Sequence, residues 1–177
     1  MLGGSSSHNG MVHVRGNAKD FDNWGQLGLT DWTYDKVLPY FKKSESIEGL
    51  DSNFRGESGP LKLSRSPNGN ILSQVYLNAA QQAGYQINND MNGERQEGFG
   101  LMDTTIFNGK RQSTSVTYLH PIKHRSNLEI LTNVTVNKIL FENKKAVGVE
   151  CKANGENKKY FSSKEVLLSA GAINSPQ

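Results

Sequence analysis

A run of small and polar residues at the start of the chain is the segment whose chemistry best fits a ligand-binding loop. Gly3 and Gly4 lack a Cβ, so the backbone there can approach a bulky ligand closely. Residues 5–7 are serines, whose hydroxyl groups can bind phosphate oxygens or cap a helix. Asn9 tolerates a left-handed turn and can hydrogen-bond the edge of a ring. Residue types alone indicate a candidate nucleotide cradle, although Gly and Ser stretches are more often flexible loops.

Four segments of the sequence, in this order, resemble motifs of the glucose-methanol-choline (GMC) oxidoreductases. The first, GGSSSHNGMVHVRG at residues 3–16, is similar to the segment of that family that contacts a flavin. The others are DFDNW…DWTYDKVLPYFKKSE at residues 20–45, GKRQS…YLHP at 109–121 and AGAINSP at 170–176. Together they extend over nearly the whole chain, which makes the resemblance specific.

The resemblance implies an FAD-dependent enzyme that oxidises the CH–OH group of an alcohol or sugar. In the family's chemistry a base takes the hydroxyl proton and a hydride passes to flavin N5. A quinone or oxygen would then accept the electrons. The sequence is most similar to choline and glucose dehydrogenases. An oxygen-using oxidase of the same family and a non-catalytic homologue that only binds flavin stay open as alternatives.

The resemblance also implies which residues contact the cofactor. They come from the first loop, from a later strand and from the second signature: Gly3, Gly4, Ser5, His8, Asn9, Gly10, Met11, Val12, Val136, Ala170 and Gly171. At the place of Val136 the family commonly presents its backbone to the adenine, and at the place of Arg111 a side chain would order the loop near the active site. No catalytic residue is expected in this chain, because the family's catalytic His lies further on.

His8 raises a separate question about how the flavin is held. A choline-oxidising branch of the family reads GGCSSHN and bonds its His to the flavin 8α carbon, and this chain reads GGSSSHN. A neutral imidazole nitrogen is a competent nucleophile. Covalent attachment and simple packing of His8 beside the ring are both compatible with the sequence.

The expected fold class is α/β: a Rossmann-like FAD-binding domain of GMC type with an antiparallel β-meander, plus part of an α+β substrate domain. We expect an FAD-binding segment at residues 1–65, the start of the substrate domain at 66–121, and the meander and a following strand at 122–177. No GxGxxG motif opens a βαβ unit. The chain is therefore expected to be an internal piece that lacks the N-terminal βαβ unit and the C-terminal catalytic region.

Periodicity predicts the elements that position these residues. Helices are expected around residues 21–24, 33–41, 70–83 and 113–119, with Pro39 kinking or shortening the second. Loops are expected at 50–60 and 88–100, and a strand at 101–107. Alternating segments predict strands at 128–131, 136–141, 146–151 and 159–161, with turns at 143–145 and 154–155. Residues 165–169 read as a buried strand, and Ser175 and Pro176 as the start of a helix.

Composition narrows the class of partner. The net charge is only +3, from 20 Lys and Arg residues against 17 Asp and Glu residues, and the basic residues are scattered. This argues against nucleic acid or an anionic membrane as a partner. No apolar run has the length of a transmembrane segment. The single cysteine, Cys151, excludes an internal disulfide and a zinc set, so no metal site is expected. The localisation is left open, with secretion as one alternative.

Overall fold

The computed structural model describes residues 1–65 and 70–176 of the chain. The chain forms two compact units, Met1–Arg125 and Ser126–Gln177. The boundary predicted at residue 66 lies outside the described residues, as does Gln177. The division of the first 121 residues into two domains therefore stays a prediction.

Two of the predicted helices pack together through aromatic rings in the first unit. Helix α1 spans Ala18–Gln26 and is capped by Asn17, whose side chain accepts from the backbone N–H of Lys19 at 3.0 Å. Helix α2 spans Tyr34–Ser44. Phe21 in α1 lies edge-on to Phe41 in α2, with ring centroids 5.6 Å apart. Helix α2 continues through Pro39 to Ser44, so the proline does not end the helix.

Helix α3 spans Ile71–Gln82, as the periodicity predicts. Asn70 caps its beginning by accepting from the backbone N–H of Leu72 at 2.9 Å. Gly84 follows its end with φ 86°, in the left-handed region that favours glycine. The apolar side of α3 is exposed within its unit: Ile71 is 76% and Leu72 is 70% exposed.

Short strands connect these helices. Strands β1 (Val12–His13), β4 (Ser64–Arg65) and β5 (Asp103–Thr104) form one antiparallel sheet in the order β1-β5-β4. Strands β2 (Glu45–Ser46) and β3 (Leu61–Lys62) pair in parallel. Strands β6 (Ile106–Phe107) and β7 (Lys110–Arg111) form a hairpin. The strand predicted at 101–107 is thus divided into β5 and β6, and the helix predicted at 113–119 is a π-helix over Ser115–Leu119. Single turns of 3-10 helix lie at Gly4–Ser7, Thr30–Trp32 and His120–Ile122.

The second unit contains the predicted meander. Strands β8 (Val134–Glu142), β9 (Lys145–Ala153) and β10 (Glu156–Phe161) pair antiparallel in the order β10-β9-β8. The two turns have positive φ at Asn143, Lys144, Asn154 and Gly155. This confirms the turn signals, because the type I′ turns that commonly join two hairpin strands need positive φ at both central positions.

Two predictions for the second unit are wrong. Residues 128–131 form no strand, and residues 165–169 form neither a strand nor a buried segment, since Leu167 is 81% exposed. No described strand pairs with either segment, and an extended segment without a partner leaves its backbone groups unpaired. Ser175 follows a short helix, α4 (Gly171–Asn174), as its C-cap, and the helix predicted to begin at Ser175 and Pro176 would lie outside the described residues. The hydroxyl of Ser175 accepts from the backbone N–H of Ala170 at 3.0 Å.

The centre of the first unit is an ion-pair network rather than an apolar cluster. Glu45 and Arg55 have side chains at most 1% exposed, and Arg55 Nε lies 2.8 Å from Glu45 Oε1. Arg15 Nη2 lies 2.7 Å from the same oxygen, and His13 Nε2 lies 3.1 Å from Glu45 Oε2. Arg55 Nη1 also donates to Asp103 Oδ2 at 2.9 Å. The network therefore joins β1, β2 and β5 to the loop between β2 and β3.

The surroundings of Glu45 keep its carboxyl group ionised. Burial by itself would raise its pKa, but hydrogen bonds from His13, Arg55 and the backbone N–H of Gly56, with the charge of Arg15, lower the pKa to about 2.

Among the described residues, no helix combines the length and the apolar character needed to span a membrane.

We expect Glu45→Gln to destabilise the first unit at neutral pH and to reduce its sensitivity to acid. The folded-state pKa lies below the ordinary value of 4.5, so the stabilisation is present above pH 4.5 and is lost as the pH falls toward 2. The shift corresponds to about 3 kcal/mol. Urea unfolding of the full gene product that carries this sequence, measured across that pH range, checks this. The exposed Glu48→Gln is the control, and parallel pH profiles for Glu45→Gln and wild type would contradict the prediction.

Candidate functional site

The backbone of the glycine- and serine-rich segment folds into a compact loop. Gly3 has φ 87°, and the chain then makes the 3-10 turn over Gly4–Ser7. The backbone N–H groups of His8 and Asn9 both donate to the carbonyl of Ser5, at 3.1 and 2.8 Å. A Cβ on Gly3 would lie 2.3 Å from Ser7 Oγ, so only glycine fits this entry to the loop.

The loop uses two of its three serine hydroxyls to hold itself together. Ser7 Oγ donates to the carbonyl of Leu2 at 2.8 Å, and Ser6 Oγ donates to the carbonyl of Gly3. Ser6 Oγ also accepts from the backbone N–H of Thr114 at 2.9 Å. Of the three serine hydroxyls, that of Ser5 forms no hydrogen bond with any described residue. Ser5 is thus the serine that remains available to a ligand.

The side chain of Arg111 connects the loop to the β6–β7 hairpin. Its Nη1 donates to the carbonyl oxygen of Asn9 and to Asn9 Oδ1, both at 2.8 Å, and lies 3.3 Å from the carbonyl oxygen of Ser6. Asn9 Oδ1 also accepts from the backbone N–H of Met11 at 3.1 Å. Met11 has φ 63°, so this bond closes a tight turn in which the backbone is left-handed.

The end of the loop enters the sheet. Val12 is paired with Thr104 in β5, and the carbonyl of Met11 accepts from the backbone N–H of Thr105 at 2.8 Å. The next residue, His13, belongs to the buried ion-pair network. The loop is therefore held at Arg111, at Thr114 and at the edge of β5.

The outer side of the loop is open. Gly4, Ser5, His8, Asn9 and Gly10 are all exposed. A Cβ on Gly4 or Gly10 would meet no heavy atom within 4 Å. Two polar hydrogen-bond donors on this side, Asn9 Nδ2 and the backbone N–H of Gly10, have no acceptor among the described residues. The loop thus presents exposed backbone with open space around Gly4 and Gly10 and two free hydrogen-bond donors.

The remaining residues predicted for the cofactor lie in the second unit. Val136 is in β8, paired with Cys151 of β9, and is 51% exposed. The β8 strand bulges just after it, between Val136 and Lys138. Gly171 has φ 97° and an unobstructed Cβ direction, directly after Ala170. The structure thus brings residues 3–12 together in one unit and places Val136, Ala170 and Gly171 in the other.

Sequence reasoning missed two parts of this arrangement. The contact of Thr114 with Ser6 has no signal in the sequence beyond the nearness of Thr114 to the GKRQS motif. The ion-pair network was missed because its paired residues are 10 to 48 positions apart in the sequence.

Among the residues that the structure describes, no group of three or more His, Cys, Asp or Glu side chains could hold a metal ion.

Comparisons with known proteins match this chain over its full length. The family profile described as GMC oxidoreductase matches residues 1–177. The chain is 50% identical over 175 residues to the mitochondrial choline dehydrogenase of Homo sapiens, covering 99% of the chain and 30% of the human protein. It is 48% identical over 180 residues to the oxygen-dependent choline dehydrogenase of Staphylococcus saprophyticus, covering 100% of the chain and 32% of that protein.

The fold is also similar to a solved structure. An FAD-dependent oxidoreductase from Chaetomium thermophilum, in complex with a fragment molecule, superposes with a TM-score of 0.90 at 30% identity. The match covers 97% of this chain and 32% of that one. The chain thus spans about a third of the length of the proteins it matches.

We expect Gly3→Ala to disturb the loop and Gly10→Ala to leave it intact. An alanine at residue 3 would have to adopt φ 87°, and its Cβ would collide with Ser7 Oγ. The Cβ of an alanine at residue 10 would meet open space. The cost at residue 3 is on the order of 1–3 kcal/mol. Proteolytic susceptibility of the first 16 residues, followed by mass spectrometry, checks this, and equal cleavage of the two variants would contradict it.

Proposed function

The chain belongs to the GMC oxidoreductase family, and from this premise we propose that it contributes the flavin-contacting loop of an FAD-dependent oxidoreductase. The observation that carries the proposal is the loop at residues 3–12, which is rigidly held from behind and open in front. Its exposed glycines leave room for a ring system against the backbone. Its free donors match the acceptor atoms on the edge of a flavin.

The residues of this chain would bind and orient the cofactor rather than react. Gly4 and Gly10 allow close approach, and Asn9 Nδ2 and the N–H of Gly10 donate hydrogen bonds to the ring edge. In the second unit, Val136 would present its backbone to the adenine, and Ala170 and Gly171 would lie near the dinucleotide. Bound FAD supplies the hydride acceptor for oxidation of a CH–OH group.

The substrate class we propose is a small alcohol or sugar, with choline as the first compound to test. Two relatives about 50% identical to this chain are named choline dehydrogenases. One of them is named oxygen-dependent, so oxygen and a quinone both stand as electron acceptors to be compared. A non-catalytic flavin-binding homologue is the alternative from another class. Turnover of choline by the full gene product distinguishes it from the enzyme.

Flavin content tests the central proposal. We expect the full gene product that carries this sequence to purify with equimolar flavin, seen as visible absorbance that bleaches on reduction. Nucleotide analysis of the released cofactor distinguishes FAD from FMN. A well-folded product that neither contains flavin nor takes it up from added FAD would overturn the proposal.

We expect the flavin to be released when the protein is denatured with acid. His8 is exposed, and its imidazole forms no hydrogen bond with any described residue, so no neighbouring group orients or activates it as a nucleophile. Acid precipitation followed by absorbance of the supernatant measures the release. Flavin that stays with a peptide spanning residues 1–15, and leaves it in His8→Ala, would establish a covalent bond instead.

A further inference from the structure

We infer that Arg111 is a positioning residue that turns the side-chain amide of Asn9 so that its NH2 group, not its oxygen, is offered to the flavin. This inference rests on the proposed function of the loop. It assigns a direction to one hydrogen bond: the protein donates and the ring accepts. It also identifies Arg111, a residue outside the loop, as the group that fixes this direction.

The contacts of Asn9 settle the orientation of its amide. Arg111 Nη1 donates to Oδ1 at 2.8 Å, and the backbone N–H of Met11 donates to the same oxygen at 3.1 Å. Both partners can only donate, since a guanidinium and a backbone N–H have no acceptor. If the amide were flipped, its NH2 group would face two donors, and the two bonds that Arg111 and Met11 donate to Oδ1 would both be lost. The oxygen is therefore held inward, and the NH2 group is the free end.

Arg111 is itself held in place by the hairpin. It is paired with Ile106 across the β6–β7 ladder, and the turn between the strands has positive φ at Asn108 and Gly109. The next residue, Gln112, donates its backbone N–H to the carbonyl of Thr105 at 2.8 Å. The backbone of Thr105 in turn donates to Met11, so the hairpin and the loop are connected on both sides of Arg111.

A donor at this position has a chemical consequence. Reduction makes the flavin ring richer in electrons, and a hydrogen-bond donor at its edge stabilises that form over the oxidised one. An acceptor or a negative charge at the same place would do the opposite. The orientation of the Asn9 amide therefore contributes to the reduction potential as well as to flavin affinity.

Asn9→Asp tests the direction of the bond. One carboxylate oxygen can still accept from Arg111 and Met11, so the loop keeps its contacts, while the other oxygen replaces the NH2 group. We expect the Kd for FAD to rise by about tenfold and the reduction potential of bound flavin to fall, with the thermal midpoint of the apoprotein unchanged. Asn70→Asp, which exchanges one good helix cap for another, is the matched control.

A double-mutant cycle tests the role of Arg111. Arg111→Lys keeps the charge but loses the guanidinium geometry, and we expect it to raise the Kd for FAD by about tenfold in the wild-type background. In the Asn9→Leu background the same change should have a clearly smaller effect, because the side-chain oxygen is gone and only the contacts of Arg111 with the backbone carbonyls of Ser6 and residue 9 are left. Arg125→Lys, at an exposed arginine, is the control.

The outcomes separate this inference from the proposed function. A wild-type protein without flavin overturns both. Wild-type protein with flavin, together with unchanged affinity and potential in Asn9→Asp, overturns this inference alone. Fully additive effects of Arg111→Lys and Asn9→Leu would show that Arg111 does not act through Asn9, and would also overturn it.

Discussion

The first unit depends on a carboxylate buried among cations. Glu45 accepts hydrogen bonds from His13, Arg55 and the backbone N–H of Gly56 and forms an ion pair with Arg15, and these partners come from two separate segments of the chain. Burying one ion is costly, and removing one partner of a buried pair leaves an uncompensated charge. Displacing any segment that supplies a partner would leave a buried charge uncompensated, and this energetic penalty holds the segments together.

This constraint extends directly to the candidate site. Strand β1 supplies His13 to the network and is continuous with the loop at residues 3–12. From the other side, Arg111 and Thr114 bind the loop through its own carbonyl and hydroxyl groups. If the loop binds flavin as proposed, these contacts preorganise it, and little conformational entropy would be lost on binding.

Apolar surface is distributed unevenly over the two units. The first turn of α3 and the segment around Leu167 expose large apolar side chains, whereas the described apolar residues that are fully covered are few and mostly small. Exposed apolar surface of this extent is typical of faces that contact other protein. The apolar residues of these two segments can be read from the sequence, but the sequence does not show which surface covers their side chains.

The sequence by itself determined the family, the helices α1, α2 and α3, the three-stranded meander and the position of the glycine- and serine-rich loop. These follow from local signals: caps such as Asn70, turn residues such as Asn154 and Gly155, and motifs read along the chain. Only the tertiary structure decided that Glu45 is the buried centre, that Ser6 and Ser7 serve the loop itself, and that residues 165–169 are exposed. Each of these depends on groups distant in sequence, because burial and hydrogen-bond partners are set by which segments meet in space. The spacing of residues along the chain does not show which distant segments meet.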